Sequence, residues 1–137
     1  MRLISTKICK TSDIGINNNL FGGRMLAWLD ESAGTMAAEE ACSQHMVTLK
    51  MDQVLFKKPV KVNDHIRIYG AVVKIGKSSV TLMLEARRFD FSSQLEDAVC
   101  STTMTFVKLN DEGFPEEIKA EIRKNIKSNI KKLNHIR

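Results

Sequence analysis

One stretch constrains this chain more than any other. From Arg24 to about Gln44 it is rich in Ala, Met, Leu and Glu, all good helix formers. Along it Gly23, Ala27, Asp30, Gly34, Ala37 and Ala41 recur at spacings of three and four, so they share one face. That face is built of small residues, which let a helix lie very close to a neighbour at the cost of helix propensity at Gly34. Leu26, Leu29, Ala33 and Met36 add apolar contacts beside it. A helix with a small face and a greasy face is expected to be buried nearly all round.

What surrounds the helix reads as strand. Met1 to Cys9 alternates loosely, and Thr11 to Asn19 is a polar loop with Asp13, Gly15 and three consecutive Asn. After His45 come Val47–Phe56, closed by Lys57-Lys58-Pro59, then His65–Val73, the turn Gly76-Lys77-Ser78-Ser79, Val80–Phe89 and Ala98–Val107. Val80, Leu82, Leu84 and Ala86 lie on one face of their strand. The connections are short enough to predict an antiparallel meander. The order of elements predicts an α+β fold, a long central helix wrapped by an antiparallel sheet spanning 1–113. The flank such a sheet leaves bare predicts dimerisation. Residues 114–137 read as a basic amphipathic helix started by Pro115. Its apolar stripe is Ile118, Ile122, Ile126, Ile130 and Leu133, to be packed on a neighbouring subunit or left as a frayed end.

Composition narrows the class. The chain has 137 residues, enough for one domain, and 43% hydrophobic residues, too many for a disordered chain. No apolar run spans a bilayer and MRLISTKICK lacks the core of a secretory signal, so the expected location is cytoplasmic. Cys9, Cys42 and Cys100 match no C-x-x-C spacing and read as reduced, mostly buried thiols. No His/Cys/Asp cluster has ligand spacing, so no metal is expected. The net charge of +5 suggests an anionic partner, with much of the excess in the tail. The tail has no helix-turn-helix pattern, which argues against nucleic acid; contact with an anionic membrane is a less favoured role for it.

Two features carry chemistry. Asp30 stands mid-helix on the small-residue face, and periodicity allows two readings. It lines a cleft, where burial would raise its pKa, or it points outward with Glu31. Gly22 and Gly23 place backbone amides at a helix start, a site for an anion or a developing oxyanion, or simply a tight turn. The polar run Asp13–Asn19 is placed to present an amide beside them.

Asn18 to Gly34, Asn-Asn-Leu-Phe-Gly-Gly-Arg-Met-Leu-Ala-Trp-Leu-Asp-Glu-Ser-Ala-Gly, resembles the signature of hot-dog-fold acyl-CoA thioesterases, closest to the YciA-like and brain-type acyl-CoA hydrolases. Val47-Thr48 through Asp52, Phe56 to Asp64 and Gly76-Lys77-Ser78-Ser79 resemble further segments of that family, in order and spacing, over roughly residues 1 to 115. The resemblance implies a helix in a wrapped sheet, dimers and often trimers of dimers, no cofactor beyond the coenzyme A of the substrate, and Asp30 as the catalytic carboxylate. It implies that amides near Gly23 polarise the thioester carbonyl and that Thr48 positions water or the carboxylate. Lys58, Gly76, Lys77, Ser78, Ser79 and Arg87 would hold coenzyme A, though each also reads as part of a basic turn or strand surface. Met25, Met51 and Phe56 are candidate liners of an acyl tunnel.

One position departs from the family. The catalytic Asn expected six residues before Phe21 is Gly15 here, and the family's loop Gly three before it is Asn18. Asn17 is then the candidate amide. Asp13-Ile-Gly15-Ile-Asn-Asn18 also resembles a loop of another hot-dog branch in which the Asp is catalytic, which makes Asp13 a second candidate carboxylate. The expected function is acyl-CoA hydrolysis; the alternative is a non-catalytic acyl-CoA sensor or carrier. Dehydratase chemistry is disfavoured, because His45, His65 and His135 all lie outside the helix-start loop.

Overall fold

The computed structural model describes residues 1–136, with side chains through Asn134. Its elements in chain order are β1 (Arg2–Ile8), a single 3-10 turn (Thr11–Asp13), α1 (Gly22–Ala41), β2 (Met46–Phe56), β3 (His65–Ile75), β4 (Ser79–Phe89), β5 (Glu96–Lys108) and α2 (Ala120–Ile136). The strands form one antiparallel five-stranded sheet in the order β1-β3-β4-β5-β2. The expected meander therefore holds only for β3-β4-β5. β2 crosses to the far edge and pairs with β5, because α1 separates β1 from β2 and delivers the chain to the opposite flank.

α1 starts two residues earlier and ends three earlier than its composition predicts. It stops where Cys42 turns left-handed (φ 52°), with the Cys42 and Ser43 amides returning to Glu39 and Ala38 carbonyls. The helix buries Met25, Trp28, Leu29, Ala33, Met36, Ala37 and Ala41 against the sheet. The expectation of burial all round is corrected here: Gly23, Ala27, Asp30 and Glu31 are exposed in one chain. Only the second half of the small-residue face enters the core. Opposite it Ile66, Ile68, Val80, Leu82, Leu84, Ala86, Met104 and Phe106 complete the interior. Each of these larger side chains contributes on the order of 2 kcal/mol by burial.

The C-terminal segment also departs from expectation. Pro115 does not begin a helix; it forms an isolated bridge with Leu109, and α2 begins at Ala120. The backbone between them is used otherwise, since the Glu116 amide bonds Lys108 O and the Ile118 amide bonds Lys77 O. The isoleucine stripe packs on its own chain. Ile118 and Ile126 are buried in the same core as α1, and Ile122 and Ile130 pack against it. α2 rests on β3 and α1. Among the described residues, no helix is long and apolar enough to cross a membrane.

Candidate active site

Asp30 projects from the exposed side of α1, and Thr48 stands near the start of β2. The Thr48 hydroxyl donates to Asp30 Oδ1 across 2.6 Å. Thr48 pairs with Phe106 on β5, and Gly34, one turn beyond Asp30, faces the same ring; a Cβ there would make ordinary contact with it at 3.7 Å. Of the two readings of Asp30, the outward one describes the single chain, and yet the carboxylate is engaged by Thr48.

The loop before α1 makes the second half of the site. Ile14 and Leu20 form an isolated bridge, and within it the Gly15 amide bonds Asn19 O while the Asn18 amide bonds Gly15 O. Asn18 is left-handed (φ 59°), which explains an Asn where the resembled family has Gly: both types accept that backbone at low cost. Phe21 caps the helix by its backbone. The first intrahelical bonds run from the Arg24 and Met25 amides to Phe21 O, which leaves the Gly22 and Gly23 amides ahead of them at the positive end of the helix.

A cavity of about 430 Å³ opens here, lined by Asn17, Asn19, Gly22, Met25, Phe56, Lys57, Lys58 and Val99 among others. Of the candidate acyl-tunnel liners, Met25 and Phe56 border it and Met51 does not. Asn17 and Asp30 do not meet within one chain. Gly23 and Asp30 are seven residues apart, about 10 Å along the helix axis.

Asp13 is committed elsewhere. It is buried, its Oδ2 accepts from the Lys10 amide at 2.9 Å, and its Oδ1 lies 3.4 Å from Arg24 Nε. That makes it an anchor for the loop and the helix start.

The six residues expected to hold coenzyme A fall into two groups. Ser79 adjoins Val80, which pairs with Phe106, which pairs with Thr48, so the turn Gly76–Ser79 lies at the Asp30 end of the sheet. The turn is tight: the Gly76 amide bonds Ser79 O at 2.7 Å, and a Cβ on Gly76 would strike Ser79 Oγ. Arg87 is eight residues along β4 from Ser79, about 26 Å away. Its guanidinium bonds Glu85 at 2.7 Å and covers the Tyr69 ring. Lys58 sits with Arg87 at that far end, its ammonium on both oxygens of Asp97 at 2.7 and 2.9 Å. That hydrogen bond, with help from Arg88, holds the Asp97 carboxyl below its ordinary range. In the sequence Lys57 reads only as part of the break after β2. It lines the cavity with no carboxylate within salt-bridge distance among the described residues.

Cys9 and Cys100 are buried, and burial pushes the Cys100 thiol up to about 11. Two of the three thiols are buried, as expected; Cys42 is the exposed one, because it occupies the helix cap. Among the described residues no group of three or more His, Cys, Asp or Glu side chains is placed to hold a metal.

The profile of the thioesterase superfamily matches residues 17–90, from the loop through α1 to the end of β4. The chain belongs to that superfamily. A protein of Zymomonas mobilis subsp. mobilis described as an uncharacterised acyl-CoA thioester hydrolase is 30% identical over 112 residues, covering 81% of this chain and 74% of its own. Among solved structures, an acyl-CoA hydrolase of Staphylococcus aureus in complex with butyryl coenzyme A and coenzyme A superposes with a TM-score of 0.78 at 26% identity, covering 96% of this chain and 87% of that one. That hydrolase has also been solved with single Asn, Asp and Thr residues replaced by Ala. A hexameric hotdog-fold thioesterase of Campylobacter jejuni superposes with a TM-score of 0.77 at 26% identity over 93% of this thioesterase-superfamily chain and 97% of its own. The α+β architecture is thus that of the hot-dog fold.

Proposed function

We propose that this protein is an acyl-CoA thioesterase, hydrolysing acyl-CoA to a free carboxylic acid and coenzyme A. The observation that carries the reading is the Thr48–Asp30 hydrogen bond, on a helix whose first amides belong to Gly22 and Gly23. Thr48 occupies Oδ1 of Asp30 and leaves Oδ2 to take a proton from water. Water adds to the thioester carbonyl, the C–S bond breaks, and coenzyme A departs as the thiolate. Attack by the carboxylate itself, followed by hydrolysis of the mixed anhydride, uses the same placement. The Gly23 amide and Asn17 polarise the carbonyl oxygen from the positive end of α1. No cofactor enters the reaction beyond the coenzyme A of the substrate.

Because Asp30 and Asn17 are separated within one chain, the reading assembles each site from two chains. One supplies Asp30 and Thr48, its partner the loop and helix start. β2 supports this, as an edge strand exposing Val47, Leu49, Leu55 and Phe56. The assembly is a homodimer, further built into a trimer of dimers. Gly76, Lys77, Ser78 and Ser79 from one chain and Lys58 and Arg87 from another then share the coenzyme A. Lys57 adds a second cation beside Lys58, with no carboxylate in salt-bridge distance among the described residues. A cytoplasmic location belongs to the same reading and is checked by cell fractionation.

Thiol release from acyl-CoAs of short to long chain, by wild type and Asp30→Asn, tests the reading. Turnover that collapses in a folded variant supports it. Binding of acyl-CoA without turnover by wild type would sink the enzyme and leave a sensor or carrier.

A further inference from the structure

The loop that carries Asn17 is held over the cavity by a side chain outside it. Lys61 Nζ donates to Asn19 Oδ1 across 2.5 Å, joining residues 42 apart in the chain. Lys61 stands on a braced platform. Val60, its neighbour, is buried, and Val60 O accepts the Leu20 amide at 2.7 Å. The Lys61 and Asp64 backbones close a turn, with the Lys61 amide on Asp64 Oδ2 and the Asp64 amide on Lys61 O. That turn is tied to the end of β1 by Asn63 N to Cys9 O and Cys9 N to Asp64 O. Arg88 ties it to β4, bonding Pro59 O at 3.0 Å and lying 3.5 Å from Asp64. The loop is held at its return to the helix by Leu20 N on Val60 O and Phe21 N on Asp13 O, but towards its tip its bonds run only between Gly15, Asn18 and Asn19, and Ile16 is fully exposed.

We infer that Lys61 is a positioning residue for the reaction proposed above, fixing through Asn19 the loop that presents Asn17 and leads into the Gly22-Gly23 helix start. The proposal rests on that reading. The physical reason is preorganisation: a carbonyl-polarising group acts only if it is already in place when charge develops. An ammonium on an amide oxygen is a charge-assisted bond, stronger than a neutral one. It restrains the loop two residues from Asn17 and three from Gly22. Asn19 lines the cavity and Lys61 does not, so the proposed action of Lys61 runs through Asn19.

The test is steady-state hydrolysis of one acyl-CoA by wild type, Lys61→Met, Asn19→Ala, the double variant, and the conservative Lys61→Arg and Asn19→Asp, with Tm recorded for each. Lys61→Met and Asn19→Ala are expected to lower kcat about 10- to 100-fold, the scale of a small misplacement, with KM little changed. The double variant is expected to be no worse than the poorer single one, since both remove one bond. Lys61→Arg and Asn19→Asp keep a donor and an acceptor and are expected to recover most of kcat. Wild-type kcat in both single variants, or losses that multiply in the double variant, would overturn the tether while leaving the hydrolase intact. So would a loss of kcat that follows Tm and is not recovered by the conservative variants. A wild type without turnover would instead bring down the proposed function, and this proposal with it.

Discussion

Thr48 Oγ1 lies 2.6 Å from Asp30 Oδ1, joining the middle of α1 to the edge strand β2. The two residues are 18 apart in sequence, on elements of different type, and they meet because α1 packs across the sheet beside β2. This contact orients the only carboxylate on the small-residue face of α1. Asp30→Asn removes the proposed base and is expected to lower kcat at least about 100-fold. Thr48→Val keeps the carboxylate but loses its orienting donor, for a smaller loss of about 10-fold. Thiol release from acyl-CoA measures both; equal losses would make Thr48 a direct participant.

The tail tests how far the core extends. Ile126 is 5% exposed and shares a cluster with Met36 and Val72. Ile126→Ala is expected to cost about 2–4 kcal/mol through lost burial and the cavity left behind. Thermal or denaturant unfolding reads the loss, and an unchanged midpoint would make α2 a dispensable appendage.

Gly70 is the most crowded glycine of the sheet. A Cβ there would stand 2.6 Å from Ile4 Cδ1, 2.9 Å from Met36 Sδ and 3.1 Å from Leu84 Cδ1. Gly70→Ala therefore overpacks the junction of β1, α1 and β4, with an expected loss of about 1–3 kcal/mol in unfolding free energy. Gly22→Ala makes only ordinary contact with the Phe56 ring at 3.5 Å, and is expected to leave the melting temperature unchanged or slightly higher.

Asp97 gives the network around Lys58 a direction in pH. The Lys58 hydrogen bond lowers its folded pKa below the ordinary 3.8. The folded state therefore releases this proton more readily than the unfolded chain. The stabilisation is present above the unfolded pKa and disappears as pH falls through the folded value. Wild type is expected to melt higher than Asp97→Asn at about pH 6, with the gap closing by about pH 2. A gap that persists in acid would place the effect of the substitution in packing.

The cysteines predict a labelling pattern. Burial raises the thiols of Cys9 and Cys100, whereas Cys42 is exposed at the end of α1. One thiol per native chain is expected to react rapidly with a disulfide reagent, and three after denaturation. Cys42→Ser should abolish the fast phase.

Much of the architecture was legible because it is local. The helix announces itself through composition and three-four spacing, and β4 through the alternation of Val80, Leu82, Leu84 and Ala86, all of which are buried. Gly76 to Ser79 makes the turn its residue types predict. Strand order was not legible: β2 alternates as well as its neighbours, and nothing in a two-residue period says which strand it will pair with. Pro115 is ambiguous in sequence, because a proline that suits a helix start also suits a strand end, and the bond from Ile118 N to Lys77 O decides between them.

The site divides along the same line. The sequence by itself determined which residue types are present to do chemistry: a lone carboxylate on a face of small residues, paired glycines at a helix start, and an amide-rich loop before them. Tertiary structure alone decided which of them come together. It set Thr48 on Asp30, turned Asp13 into a buried anchor, gave Lys58 to Asp97 while leaving Lys57 at the cavity, and placed Lys61 on Asn19. The physical reason is range. Helix and turn preferences act over a few residues of one chain, whereas a hydrogen bond needs two groups within about 3 Å, and only the packing of the whole sheet around α1 sets which distant residues come that close.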